Sequence, residues 1–125
     1  MKIVAFIGSP RENGNTAKLV NTICKEAESN GHEIEIYNLS AISNNGCIAC
    51  NACQLNMVRG CAIDDIISRI FSKMQIVDLI ILGTPIYFEQ VSGLTKNFID
   101  RMRMFLDYNT KTSMLAEKYS KYHSW

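Results

Sequence analysis

Residues 2–16 read KIVAFIGSPRENGNT: a near-continuously apolar run, a glycine, and then a polar stretch rich in turn formers. An apolar run without alternation suits a parallel strand covered on both faces. Gly8, Ser9 and Pro10 stop it. A helix is expected from about Thr16 to Ser29, because Ala17, Val20, Ile23, Cys24 and Ala27 share one helical face and Asn30-Gly31 supplies a stop signal. Strand, polar loop and helix in that order open an α/β unit.

The loop between them has chemistry of its own. At a strand-to-helix junction, backbone N–H groups and the positive end of the helix dipole face outward, which favours a phosphate. Ser9, Asn15 and Thr16 can donate side-chain hydrogen bonds, and Arg11 adds positive charge. The loop has neither the G-K-[ST] of a P-loop nor the spacing of a GxGxxG fingerprint. A mononucleotide phosphate therefore fits better than ATP or a dinucleotide. The plainer reading stays open: a polar turn in which Asn15 or Thr16 caps the helix.

The same alternation continues outward. Glu33 to Tyr37 alternates polar and apolar, as in a strand with one buried face. Asp64 or Asp65 can N-cap a helix to about Met74 with Ile67, Ile70 and Phe71 inward. Val77 to Leu82 is the third expected strand, residues 83–93 a loop, and Leu94 to Leu106 a helix striped by Leu94, Phe98, Met102 and Phe105. Lys96 and Arg101 are expected on its solvated face. Strands alternating with helices predict an α/β parallel sheet, and no internal repeat interrupts the pattern.

Composition narrows the function. The 125 residues are 47% hydrophobic and 20% charged, with 13 basic and 12 acidic side chains and a formal net charge of +1. One domain with one core fits that length, and the balanced charge gives no reason to expect nucleic acid or an anionic membrane as partner. The opening apolar run is too short for a signal peptide, and Asp78 breaks the richest apolar segment. The expected location is the cytoplasm, where clustered thiols point to metal or redox work rather than structural disulfides.

That matters for residues 46–61, GCIACNACQLNMVRGC, which place Cys47, Cys50, Cys53 and Cys61 in a C-x2-C-x2-C-x7-C pattern. Thiols three residues apart in a loop can reach neighbouring corners of one iron–sulfur cubane, and Gly60 leaves room for the reversal that brings in the fourth. Four-cysteine zinc sites usually pair two separated C-x-x-C motifs. A cluster, zinc and free redox thiols all remain open on spacing. Cys24, on the apolar face of the first helix, is expected to be a small core residue. His32 and His123 have no neighbours that suggest catalysis or metal binding.

GSPRENGNT, the cysteine run followed by Asp64-Asp65, and GTPIYFEQVSGLTKNFIDR together resemble the flavodoxin-like NAD(P)H-dependent FMN reductase superfamily, and more narrowly its iron–sulfur flavoproteins. The resemblance runs from Met1 to about Arg103. It implies a flavodoxin-like three-layer parallel sheet with FMN at the carboxyl ends of the strands. It also implies that Ser9, Arg11, Asn13, Asn15 and Thr16 grip the FMN phosphate while Pro85, Ile86, Tyr87 and Phe88 lie along the isoalloxazine ring. Cys47, Cys50, Cys53 and Cys61 would then hold a [4Fe–4S] cluster. Core packing is the other reading of Tyr87 and Phe88. No catalytic acid or base is assigned, since the protein's task would be to place and tune cofactors.

Family members continue with two more strand–helix units, whereas residues 107–125, DYNTKTSMLAEKYSKYHSW, contain no apolar run suited to a strand. The expectation is therefore a domain over residues 1–106 with strand order 2-1-3, lacking the family's strands four and five, followed by a polar tail over 107–125. Its third strand would be an open edge, which predicts a homo-oligomer. The expected function is an electron-transfer oxidoreductase, with NAD(P)H or a ferredoxin as electron partner. A cluster-free NAD(P)H-dependent FMN reductase and a non-enzymatic interaction module are the alternatives.

Overall fold

A computed structural model describes residues 1–55 and 60–106. At its centre is β1 (Lys2–Ile7), whose residues alternate between two faces and are buried on both from Ile3 onward. Ala5 and Ile7 pack against Ala17, Val20 and Cys24 of α1 (Asn15–Ser29). Val4 and Phe6 face a larger cluster on the opposite side. That double covering is why the strand is apolar at every position rather than at every second one.

β1 is flanked by β2 (Glu33–Asn38) and β3 (Leu79–Gly83), both parallel to it, in the order β2-β1-β3. Ile3 lies opposite Ile34 on one side and Leu79 on the other. Asp78, which interrupts the apolar run in sequence, ties the lower end of β3 to β1. Its carboxylate accepts from the Lys2 N–H at 2.7 Å, and its own N–H donates to the Lys2 carbonyl at 2.8 Å.

Between β2 and β3 comes α2 (Ile66–Lys73), extended by a 3-10 turn over Met74–Ile76. Asp65 and Ser68 form a reciprocal capping box at its start. Ile67, Ile70 and Phe71 are buried, as the helical pattern predicts, and Met74 is buried with them. After β3, a two-stranded antiparallel hairpin of β4 (Ile86–Tyr87) and β5 (Gln90–Val91) leads into α3 (Gly93–Arg101) and a 3-10 turn, Met102–Phe105. α2 and α3 cover the face opposite α1, making three layers. Phe98 is the aromatic hub, with ring centres 4.3 Å from Phe6 and 5.1 Å from Phe71; Phe105 meets Phe71 at 5.3 Å.

Several expectations change. Residues 83–93 are not a plain loop but carry the hairpin, whose tip residues Phe88 and Glu89 have φ of 47° and 62°. Two-residue hairpin turns of the primed type need such values, which non-glycine residues rarely adopt. Ile23, expected inward, is 44% exposed: the buried stripe of α1 runs through Ala17, Val20 and Cys24. β2 has no fully buried position, with Ile34 and Tyr37 half-buried on opposite faces. The last helix stops being α-helical at Arg101. Arg101 itself, expected in solvent, is 2% exposed. The polar tail and the question of further strands beyond Leu106 lie outside the described residues.

Candidate functional site

The carboxyl ends of β1 and β3 meet where the Gly8 N–H donates to the Gly83 carbonyl at 2.7 Å. From there the chain turns through Ser9 and Arg11 into α1. The Arg11 N–H donates to Ser9 Oγ (3.2 Å), and the Gly14 N–H donates to the Arg11 carbonyl (3.1 Å), curling the loop into a cradle. Gly14 is the N-cap, not Asn15 or Thr16, and no side chain caps the helix. The first-turn N–H groups are therefore left without a side-chain acceptor, as an anion site requires.

Ser9, Arg11, Asn13, Asn15 and Thr16 line one cavity of about 560 Å³, whose other wall is Pro85 and Tyr87. All five loop residues singled out in the sequence are thus brought together with two of the four from residues 85–88. Ile86, 80% exposed, and Phe88, fully exposed, do not line the cavity. Core packing is excluded for Phe88, and the half-exposed Tyr87 offers its ring at the cavity wall.

A buried polar network behind the cradle was not legible in the sequence. Ser92 N-caps α3, accepting from the Thr95 N–H at 3.2 Å, while its hydroxyl donates to the Gly8 carbonyl at 2.5 Å. Its own N–H donates to Thr84 Oγ1 (3.1 Å). Ser92 and Thr95 are fully buried, so α3 and the cradle are set relative to one another by buried bonds, and the half-buried Thr84 ties in the start of the hairpin segment. The spacing Ser92-x-x-Thr95 before an apolar helix was the available signal. A Cβ on Gly8 would lie 1.8 Å from Thr95 Oγ1, so only glycine fits there.

Cys47, Cys50, Cys53 and Cys61 line a second cavity, of about 20 Å³, together with Ile48, Ile63, Met104 and Arg101. All four are free thiols; Cys47 and Cys50 are exposed and the other two half-buried. Cys24, by contrast, is buried in the core, and burial pushes its thiol pKa up. The segment is pinned at both ends. Asn44 Nδ2 donates to the Leu94 carbonyl (2.7 Å), Asn97 Nδ2 to the Asn44 carbonyl (3.1 Å), and Gln54 Nε2 to the Arg103 carbonyl (2.8 Å). Between these anchors, Ala49 and Asn51 have positive φ, curling the turn so that thiols three residues apart converge on one cavity. Sulfur receives N–H donors in three places: Ala49 N–H to Cys47 (3.4 Å), Gln54 Nε2 to Cys53 (3.7 Å), and Arg101 Nη2 to Cys61 (3.5 Å).

Arg101 also forms a two-pronged ion pair with both oxygens of Asp65. Burial alone would raise the Asp65 carboxyl, but Arg101 and the Ser68 N–H and hydroxyl outweigh it and hold the pKa below the ordinary carboxylate value. For Arg101, burial opposes the charge while hydrogen bonds to Asp65 and Cys61 favour it, and the guanidinium ends up above its ordinary value. Both partners shift toward the charged pair.

As a donor set, four cysteines around one cavity with N–H groups aimed at sulfur suit an iron–sulfur cluster. In volume, the cavity holds about one water. Among the described residues, no three His, Cys, Asp or Glu side chains gather closely enough to hold a metal ion. By donor type the residues fit a four-iron group; as arranged among the described residues they form no ready-made metal site.

A parallel α/β sheet with a polar cavity at its first strand–helix junction and a cysteine-lined cavity beside its last described helix places the chain in the three-layer α/β class. Residues 1–120 match the NADPH-dependent FMN reductase family, and the chain belongs to it. It is 41% identical over 104 residues to an iron–sulfur flavoprotein of Archaeoglobus fulgidus, covering 83% of this chain and 50% of that protein. An iron–sulfur flavoprotein of Methanocaldococcus jannaschii is 40% identical over 103 residues, covering 82% and 52%. A Clostridioides difficile protein with the same description is 33% identical, covering 86% and 48%. The chain thus spans about half the length of the curated relatives it matches. A solved structure from Klebsiella pneumoniae, described as a quinone reductase, superposes with a TM-score of 0.65 at 18% identity, over 82% of this chain and 45% of that one. That likeness bears on the fold alone. Among the described residues, no helix is long and apolar enough to cross a membrane.

Proposed function

We propose that residues 1–106 form the cofactor-binding unit of an electron-transferring flavoprotein oxidoreductase that takes FMN and a [4Fe–4S] cluster, with NAD(P)H or a ferredoxin as electron partner. When bound, FMN exchanges electrons singly or in pairs and the cluster exchanges them one at a time. The observation that carries this reading is the convergence of all four spaced cysteines on one cavity with N–H donors directed at sulfur.

In this reading the chain's own groups bind and orient. Ser9, Asn13, Asn15, Thr16 and the first-turn N–H groups of α1 hold the phosphate, and Arg11 supplies the opposing charge. Pro85 and Tyr87 form the wall against the ring, with Ile86 and Phe88 beside it on the exposed hairpin. Cys47, Cys50, Cys53 and Cys61 are the cluster ligands, and Cys24 takes no part.

A second reading is favoured by the small volume of the cysteine cavity and by the lack of a ready-made metal site among the described residues. It is a cluster-free, NAD(P)H-dependent FMN reductase whose cysteines stay as thiols. Iron, sulfide and FMN per chain, measured with the absorption spectrum of anaerobically prepared protein, separate the two. Four irons with FMN support the first reading. Flavin bands without iron support the second. Neither cofactor would leave an interaction module and sink both.

A further inference from the structure

Arg101 has more partners than a helix-terminal arginine needs. It sits at the end of α3, 2% exposed, and lines the same cavity as the four cysteines. Beyond its pair with Asp65, Nη1 donates to the Asn45 carbonyl and Nη2 to the Ile63 carbonyl and to Cys61 Sγ, each at 3.5 Å. Asn45 precedes the first of the spaced cysteines and Cys61 is the last, so one guanidinium holds both ends of the segment against α3. Its Nε–H is buried with no partner among the described residues. An orphaned donor on a buried cation beside four thiols is costly unless an acceptor comes to it, and anionic sulfur is the acceptor this cavity would supply.

We propose that Arg101 is the positioning residue of the cysteine centre: it closes the segment onto α3, orients the Cys61 sulfur, and places a positive charge against a cluster held there. The inference rests on the cluster reading above. Enclosing a charge requires a countercharge, and Asp65 already provides one. The contacts to Cys61, Ile63 and Asn45 are additional to that need and all concern the cysteine segment. A cation donating to a ligand sulfur favours the more negative, reduced form of a cluster and so raises its potential; hydrogen bonds to sulfur are an established means of such tuning.

The test compares wild type with Arg101→Gln, Arg101→Lys and Asp65→Asn, each prepared anaerobically. Readouts are iron and sulfide per chain, the midpoint potential, and circular dichroism as a check on folding. Arg101→Gln should lose at least half its iron. In whatever cluster it keeps, the potential should fall by more than about 59 mV, the equivalent of tenfold for one electron. Arg101→Lys, retaining charge without the fork, should keep the potential within that margin while still binding less iron. Asp65→Asn keeps Arg101 and an N-capping side chain for α2 but removes a negative charge, so its potential should rise. Arg101→Gln with wild-type iron and an unshifted potential overturns the proposal. If that variant does not fold, an unshifted or lowered potential in Asp65→Asn overturns it instead. Wild type without iron removes the cluster reading and this inference with it, a result seen before any variant is compared.

Discussion

Single side chains carry the sharpest tests. Arg11→Ala and Thr16→Ala each remove a donor from the loop proposed to hold the FMN phosphate, and charge-assisted hydrogen bonds contribute on the order of 1.5–3 kcal/mol. FMN affinity should fall about tenfold or more in each, and wild type should bind riboflavin, which lacks the phosphate, more weakly than FMN in a fluorescence titration. Equal binding of the two flavins would reduce the cradle to a turn. Cys53→Ser should lose iron while Cys24→Ser, altering a core residue away from the cavity, should not. Parallel loss in both would tie iron content to misfolding. Asp65 gives a pH signature. Its folded pKa is depressed, so the stability it contributes is complete above the ordinary carboxylate value of about 3.9 and is lost as pH falls through the lower folded one. With the Arg101 side chain fully enclosed and only 13% of Asp65 exposed, removing one partner by mutation should cost about 3–5 kcal/mol. Urea unfolding of the cofactor-free chain should lose stability as pH falls below the ordinary carboxylate value, at no more than about 1.4 kcal/mol per pH unit for this one group, and Asp65→Asn should show less of that loss. An identical acid profile in the variant would mean that the pair adds nothing to stability.

Elements differ in how plainly they could be read in advance. β1 and the capped α2 were legible because burial on both faces and an Asp-initiated amphipathic helix leave direct marks on residue type. The hairpin of β4 and β5 was not: two-residue strands are too short to alternate, and its tip is Phe88-Glu89 rather than an Asn-Gly pair. Ser9, Arg11, Asn15 and Thr16 could be singled out by residue type because a strand–loop–helix junction is local in sequence, whereas Asn13 rested on the family resemblance; all five line one cavity. Arg101 was missed because its partners, Asn45, Cys61, Ile63 and Asp65, belong to a distant segment, and a helix-end arginine looks the same whether solvated or clasped. The junction of elements supplies its own test. Gly8→Ala forces a methyl into Thr95, which is fixed by its bonds to Ser92, so α3 must shift away from β1. Overpacking of this kind costs roughly 1–3 kcal/mol or more. A lowered melting temperature with weakened FMN binding is expected, and a fully stable variant would show that α3 is not held by this contact.

At the scale of the whole described sheet, β2 and β3 are both outer strands; on β3, Leu79 is 41% exposed. An open apolar strand edge invites pairing with another chain. This 125-residue chain is therefore expected to associate at micromolar concentration in light scattering, and Leu79→Lys to weaken that association. A monomeric wild type would contradict the expectation. The sheet's connectivity also bears on how the chain acquires its shape. Met1 reaches His32 across 31 residues, whereas Lys2 reaches Asp78 across 76. Closing the longer loop costs only about 0.8 kcal/mol more in chain entropy, because that penalty grows with the logarithm of length. Burying one phenylalanine returns about 1.5–3 kcal/mol. A partly assembled β1–α1–β2 unit would cover Val4 and Phe6 only in part, with Tyr37 and Leu39, since the rest of their cluster comes from α2, α3 and the segments that follow each helix. The half-built unit therefore has little to gain by waiting, and β3 with its two helices should arrive in the same cooperative event. Refolding should be a single exponential, and the cysteine segment, enclosed within that longer loop, should reach its final form only when the sheet does.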